Sequence, residues 1–368
     1  MKKLSLILTL ALILGMLSGC AGTPVVYYTD CTCPVEAHTE VAAPEAPAAT
    51  EAPAATEAAV AVEGAVKTGL YISTGVGDSK SATAEEAGEA KYDVTMVAVL
   101  VDDNGVIVDC AIDSLGTSVA FDAEGNVTTD LTAAIQTKNE LGENYGMVAW
   151  GGAIAEWDAQ AAALAAYAVG KTVEELRTGA VNESGYAADA DLASSATIYL
   201  GGYVSAIEGA VAAAQHLGAQ AGDELVLTAV PGVGKTTAAT AEAAGNAQLD
   251  MDVTALTVKD GVITSCIIDA VQAKVGFDAT GAITSDVSAP VLTKNGLGEN
   301  YGMVAWGGAI AEWNEQAASF ASYVTGKTAA EVAGIAVNEG TKPTEADLAS
   351  SVTIAIGGFQ YLIAKALQ

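Results

Sequence analysis

The feature that most constrains this chain is that it carries the same unit twice. "LGENYGMVAWGGAIAEW" runs from Leu141 to Trp157 and returns unchanged from Leu297 to Trp313, 156 residues later. The same spacing joins Asp113 to Asp269, Phe121 to Phe277, Thr137-Lys138-Asn139 to Thr293-Lys294-Asn295, and Asp191 to Asp347. Solenoid units repeat every ~20–50 residues, so a period this long is a whole domain. Whatever one copy folds into, the other must fold into as well, and a site found in one copy can be checked against the other. The expected organisation is two tandem homologous domains, over residues 65–218 and 222–368.

Each copy reads as α+β. "VTMVAVLVDDNGVIVDCAID" places two alternating apolar runs around Asn104-Gly105, a hairpin signal. "VAFDAEGNVTTD" repeats the pattern with a turn at Glu124-Gly125. The period then changes. "AIAEWDAQAAALAAYAVG" has apolar residues at helical spacing and stops at Gly170. Thr172 with Glu175, and Thr328 with Glu331, make capping boxes for a short helix. A last helix places Leu200, Val204, Ile207 and Val211 on one face, with Ile356, Ile363 and Leu367 in copy two. Antiparallel hairpins followed by helices are therefore expected twice.

The N-terminus reads as a targeting segment. Lys2 and Lys3 precede an apolar run from Leu4 to Met16, which ends in Leu17-Ser18-Gly19-Cys20. That ending resembles a bacterial lipobox. It implies a signal peptide over 1–19, cleavage before Cys20, lipidation of the Cys20 sulfur, and attachment to the extracytoplasmic face of the cell membrane. Residues 34 to 63 are dominated by Ala, Pro, Glu and Thr without apolar periodicity, so 20–64 is expected to be a disordered, acidic tether.

Charge and residue counts exclude several function classes. The net charge is −30 with 15 Lys+Arg, so the surface repels phosphate backbones and nucleic acid is not an expected partner. The two histidines, His38 and His216, have no counterparts in the other copy, which argues against Ser-His-Asp or Cys-His catalysis. "PGVGKTT" at Pro231–Thr237 imitates a phosphate loop, but Ala229 stands where that motif has glycine, and copy one has Asp78 in place of the lysine. "DAEGN" at Asp122–Asn126 imitates a calcium loop, but copy two reads "DATGA". Cys31 and Cys33 lack a metal partner set, and Cys110 and Cys266 sit in apolar strand-like runs as core residues do. No catalytic constellation is legible, and the chain reads as a carrier or binding module rather than an enzyme.

Two late segments carry a resemblance. Copy one has "DADLASSATIYLGGYVSAIEGAV" and copy two has "EADLASSVTIAIGGFQYLIAKAL". With the upstream hairpin, they resemble the FMN-binding domain family. That family has a late D-x-x-[S/T]-G-A-[S/T] motif opening a helix, and a flavin transferase links the FMN phosphate to the last hydroxyl. The resemblance implies matching roles for Asp191, Ser194 and Thr197, and for Asp347, Ser350 and Thr353. Ser195 and Ser351 replace the family's glycine, and Val352 replaces its alanine. The alternative for "DLASS" is a helix-capping cluster. A flavin phosphate would find extra partners in the lysines present in both copies, Lys138, Lys171, Lys294 and Lys327.

All four tryptophans lie in the repeated seventeen residues. Tyr145, Trp150, Tyr301 and Trp306 either stack on a flat ligand or fill a core poor in bulky side chains. The expectations are thus a lipid-anchored envelope protein, carrying FMN in electron transfer with redox partners, or a structural or solute-binding lipoprotein without flavin.

Overall fold

The structure, a computed structural model, describes residues 64–368. The signal peptide, Cys20, Cys31, Cys33, His38 and the tether lie outside the described residues. The fold is α+β, with two three-stranded antiparallel sheets, each followed by helices.

In the first repeat, β1 (Lys67–Gly75), β2 (Gly88–Val101) and β3 (Ile107–Phe121) form a meander in that order. Six helices follow: α1 (Lys138–Leu141), α2 (Met147–Gly151), α3 (Trp157–Ala168), α4 (Val173–Gly179), α5 (Ala190–Ser195) and α6 (Gly201–Ala212). The second repeat gives β4 (Glu224–Gly232), β5 (Gly245–Lys259) and β6 (Val262–Phe277). Its helices are α7 (Lys294–Leu297), α8 (Met303–Gly307), α9 (Trp313–Val324), α10 (Ala329–Ala333), α11 (Ala346–Ala349) and α12 (Gly357–Ala366).

The β2–β3 hairpin turns at Asn104-Gly105, where Gly105 has φ 82° and Asp102 accepts the N–H groups of Asn104 and Val106. The second hairpin signal produces only a turn. Asp122 accepts from Glu124 and Asn126, and a single bridge joins Phe121 to Val127. The Asx turn spends the carboxylate on its own backbone, and no strand pairing propagates. β1 had no clear sequence signal, because its side-chain alternation is interrupted by Gly69 and Ser73. Both capping boxes form at Thr172 and Thr328.

The helix expected from Ala153 begins instead at Trp157. Gln160 Nε2 donates to the Ala155 carbonyl, and Glu156 is spent capping the preceding turn, which fixes 153–156 as a non-helical approach. The Pro231–Thr237 segment is the end of β4 and a loop leading to an antiparallel strand. It is not the strand-to-helix turn of a phosphate loop.

Strand alternation gives each sheet two apolar faces. Val97, Val99 and Val101 of β2 pack under α3 and α6, with Trp157, Leu164, Leu200 and Ile207. The opposite face carries Tyr92, Val94, Met96 and Ala98. These share one core with Leu249, Met251, Val253 and Ala255 of β5. The layers are therefore helices, sheet, sheet, helices, and both repeats belong to one compact unit.

The repeats are related by a pseudo-twofold. Phe121 stacks on its own counterpart Phe277, with ring centroids 4.1 Å apart and 4° between planes. Ala82 N–H donates to Gly281, and Ala239 N–H donates to Gly125, which is the same contact made in each direction. Edge strands meet at two seams: β1 against β6, and β3 against β4.

Candidate functional site

A cavity of about 890 Å³ lies at the β1/β6 seam. β1 supplies Tyr71 and Thr74, β6 supplies Asp269, the following loop supplies Leu292, α7 supplies Asn295, and α9 supplies Asn314. Two cross-repeat contacts hold the seam: the Thr68 and Ser265 hydroxyls lie 2.7 Å apart, and Thr74 bridges to Val291.

Five buried side-chain polar atoms lack a hydrogen-bond partner among the described residues. Three belong to residues lining this cavity: Thr74 Oγ1, Asn295 Oδ1 and Asn314 Oδ1. An unmet buried polar atom costs about 1–3 kcal/mol, so the concentration of three in one cavity needs a reason. Asn295 is oriented by its own neighbours, since its N–H donates to Asp269 at 3.0 Å and its Nδ2 to the Ile268 carbonyl at 3.0 Å. That fixes Oδ1 as the free acceptor. Among the lining residues Asp269 alone carries a formal charge, and burial pushes its carboxyl above the usual range. The lining mixes apolar walls with hydroxyl and amide side chains and holds no cation.

The β3/β4 seam is the same place in the other half, and it is filled. Ala229, Val253 and Asp269 form a row across the second sheet, and Ile72, Met96 and Asp113 form the matching row across the first. Lys365 of α12 reaches Ala229, donating to its carbonyl at 2.7 Å, and ion-pairs with Glu140 of α1. Its counterpart on α6 is Gly209, and the counterpart of Glu140 is Gly296. Tyr71 lies in the space over Gly209, where a Cβ would meet its ring at 2.5 Å.

The residues singled out in the sequence are distributed differently. Thr197 does not open a helix: it lies after α5 and before α6. Its N–H donates to Gln160 Oε1 at 2.7 Å, and the Ile198 N–H and Thr197 hydroxyl share that acceptor. Gln316 holds Thr353 and Ile354 in the same way. These N–H and hydroxyl groups therefore donate to the buried amide oxygens of Gln160 on α3 and Gln316 on α9. Asp191 is exposed, and Asp189 is the residue that caps α5, accepting from Asp191 and Leu192. Asp347 is also exposed on α11, whose cap residue Glu345 makes no side-chain bond to the helix. Ser194 and Ser350 donate back to the carbonyls of Asp191 and Asp347.

Lys138 sits 5.1 Å from the Tyr145 ring centre and 5.0 Å from that of Trp157, and Lys294 repeats this with Tyr301 and Trp313. Trp150 and Trp306 stand apart, each 91% exposed, over Gly146 and Gly302. Lys171 and Lys327 lie over Tyr167 and Tyr323. A smaller hollow of about 360 Å³ brings Lys235, Lys294 and Trp313 beside Ile354.

Sequence reasoning missed Thr74, Asn314, Gly209 and Gly296. The available signal was difference rather than likeness: Lys365 against Gly209 and Glu140 against Gly296 are charged residues facing glycine at matching places in the repeat. Among the described residues no group of acids, histidines or cysteines could hold a metal, and no helix is long and apolar enough to cross a membrane. No protein-family model, curated protein or solved structure matches this chain.

Proposed function

We propose that this is a lipid-anchored cell-envelope protein whose two homologous domains together bind a small solute, without turnover, at the β1/β6 seam. One observation carries the reading: three unpartnered polar atoms, on Thr74, Asn295 and Asn314, belong to residues lining one apolar-walled cavity. Ligand sites combine apolar walls with a few polar groups that fix orientation, and those groups are unmet until the ligand arrives. The lipobox-like Leu17–Cys20 and the acidic tether support placement outside the cytoplasmic membrane.

The test is ligand-observed NMR on the full chain against a panel of neutral, anionic and cationic small molecules. At least one class is expected to bind, and Leu292→Trp, at the exposed rim, is expected to abolish it. Binding that survives Leu292→Trp, or no binding from any class, overturns the reading.

A flavin carrier is the second reading, supported by Lys235 and Lys294 in the smaller hollow, which is also lined by Ile354, the residue after Thr353. It expects yellow protein with a mass increase after co-expression with a flavin transferase. Colourless protein of unmodified mass rejects it.

A further inference from the structure

The two seams are equivalent places in a pseudo-symmetric molecule, yet only one is filled. In the filled seam the occupant is the chain's own primary ammonium. The Lys365 butyl stem crosses from α12, and its Nζ meets the Ala229 carbonyl and the Glu140 carboxylate. In the open seam the lysine has become Gly209 and its carboxylate partner Gly296. Glycine at both places removes the ammonium and its counter-charge together; the Tyr71 ring takes the space over Gly209, and Gly296 lines the cavity.

From this asymmetry we infer that the β1/β6 cavity takes a primary alkylammonium compound, whose charged head occupies the position that Lys365 Nζ occupies in the other seam. This rests on the solute-binding reading above and names its ligand class. The lining supports the assignment independently. Asn295 carries a fixed, unpartnered amide oxygen, and Thr74 and Asn314 carry unpartnered polar atoms, all three buried in side chains that line the cavity. A cation meets the Asp269 carboxylate as the one formal charge of the lining, whereas a carboxylate or phosphate would meet that same negative charge and no cation. Asp269, the one charged residue of the lining, complements a cation, and the whole-chain charge of −30 draws cations toward the surface. Tyr71 and Leu292 provide apolar and aromatic surface for the body of the ligand, and a tyrosine face also attracts an ammonium group.

The experiment is isothermal titration of the full chain with n-hexylammonium chloride, sodium hexanoate and 1-hexanol at matched ionic strength. Hexylammonium is expected to bind saturably at one site per chain, at least tenfold more tightly than hexanoate. Ser322→Lys, a substitution at an exposed α9 position lining the cavity, is expected to weaken hexylammonium at least tenfold. Lys365→Gly combined with Glu140→Gly is expected to raise the stoichiometry to two, with circular dichroism melting confirming the fold of each variant. Should the double variant fail to fold, the Ser322→Lys comparison decides alone. Tighter binding of hexanoate or hexanol than of hexylammonium leaves the solute-binding reading standing and overturns the ammonium assignment. Hexylammonium affinity unchanged by Ser322→Lys also overturns it. If none of the three probes binds, the ammonium assignment falls, and the solute-binding reading is then decided by its own panel and the Leu292→Trp control.

Discussion

Asp113 and Asp269 show how much a single buried side chain can report. Each accepts backbone N–H groups from its own strand and from the first turn of a short helix: Ser114 and Asn139 in one repeat, Ala270 and Asn295 in the other. Burial nonetheless pushes both carboxyls above the ordinary value of 3.8, more than those bonds pull them down. A carboxyl raised in the folded state stabilises the fold fully below its unfolded value and loses that contribution as pH rises through the folded value. Acidifying from pH 7 toward about pH 5, above the range where lowered carboxyls such as Asp122 and Asp278 begin to lose their contribution, is therefore expected to raise the melting temperature. The rise is expected to be smaller in Asp113→Asn/Asp269→Asn, whose amide oxygens still accept the same N–H groups. Equal pH responses in calorimetry would contradict the assignment. At this scale the sequence was partly legible. Both aspartates were found by their spacing, and Cys110 and Cys266 by their apolar strands, and both thiols are buried with their values pushed up to about 12. The orphan acceptors were not legible, since an asparagine's unmet oxygen depends on packing between repeats that no local pattern encodes.

The repeated seventeen residues form a closed set of local contacts, which accounts for much of their constraint. Glu156 accepts the N–H groups of Met147 and Val148 through its two oxygens, so the end of the stretch caps the short helix in its middle. Glu312 does the same for Met303 and Val304. Gly146, at φ 81°, permits the turn and leaves room for the Trp150 ring. The two indoles then go to opposite environments: Trp157 is buried under the sheet beside Leu164, while Trp150 is 91% exposed. Trp157→Ala is expected to cost about 3–5 kcal/mol, the range for a large core aromatic, and Trp150→Ala less than about 0.5 kcal/mol. Urea denaturation followed by circular dichroism measures both, and similar losses would refute the division. The choice between core and ligand contact could not be made from sequence, because both tryptophans sit in the same glycine-rich run and only the start of α3 separates them. Capping boxes and the main hairpin were legible, since their signals are complete within a few residues.

At the scale of the molecule, the sheets share one core across the repeat boundary, and Phe121 stacks on Phe277 within it. The sequence announced two copies but not their mutual burial, because a strand apolar on both faces reads the same whether helices or a second sheet cover it. Both repeats are expected to unfold together. Calorimetry should give one transition with matching calorimetric and van't Hoff enthalpies, and Phe121→Ala should lower it without splitting it, at a cost of about 3–5 kcal/mol. Two resolved transitions in the unmodified chain would refute this. A residue touches its own counterpart only on a rotation axis. The stacked phenylalanines mark that axis, and two copies of a single repeat associating about it would form a homodimer with two identical seams. In such a dimer a lysine that closed one seam would close both. In the tandem chain that restriction is absent: Lys365 closes one seam, and Gly209 stands at the matching place in the other.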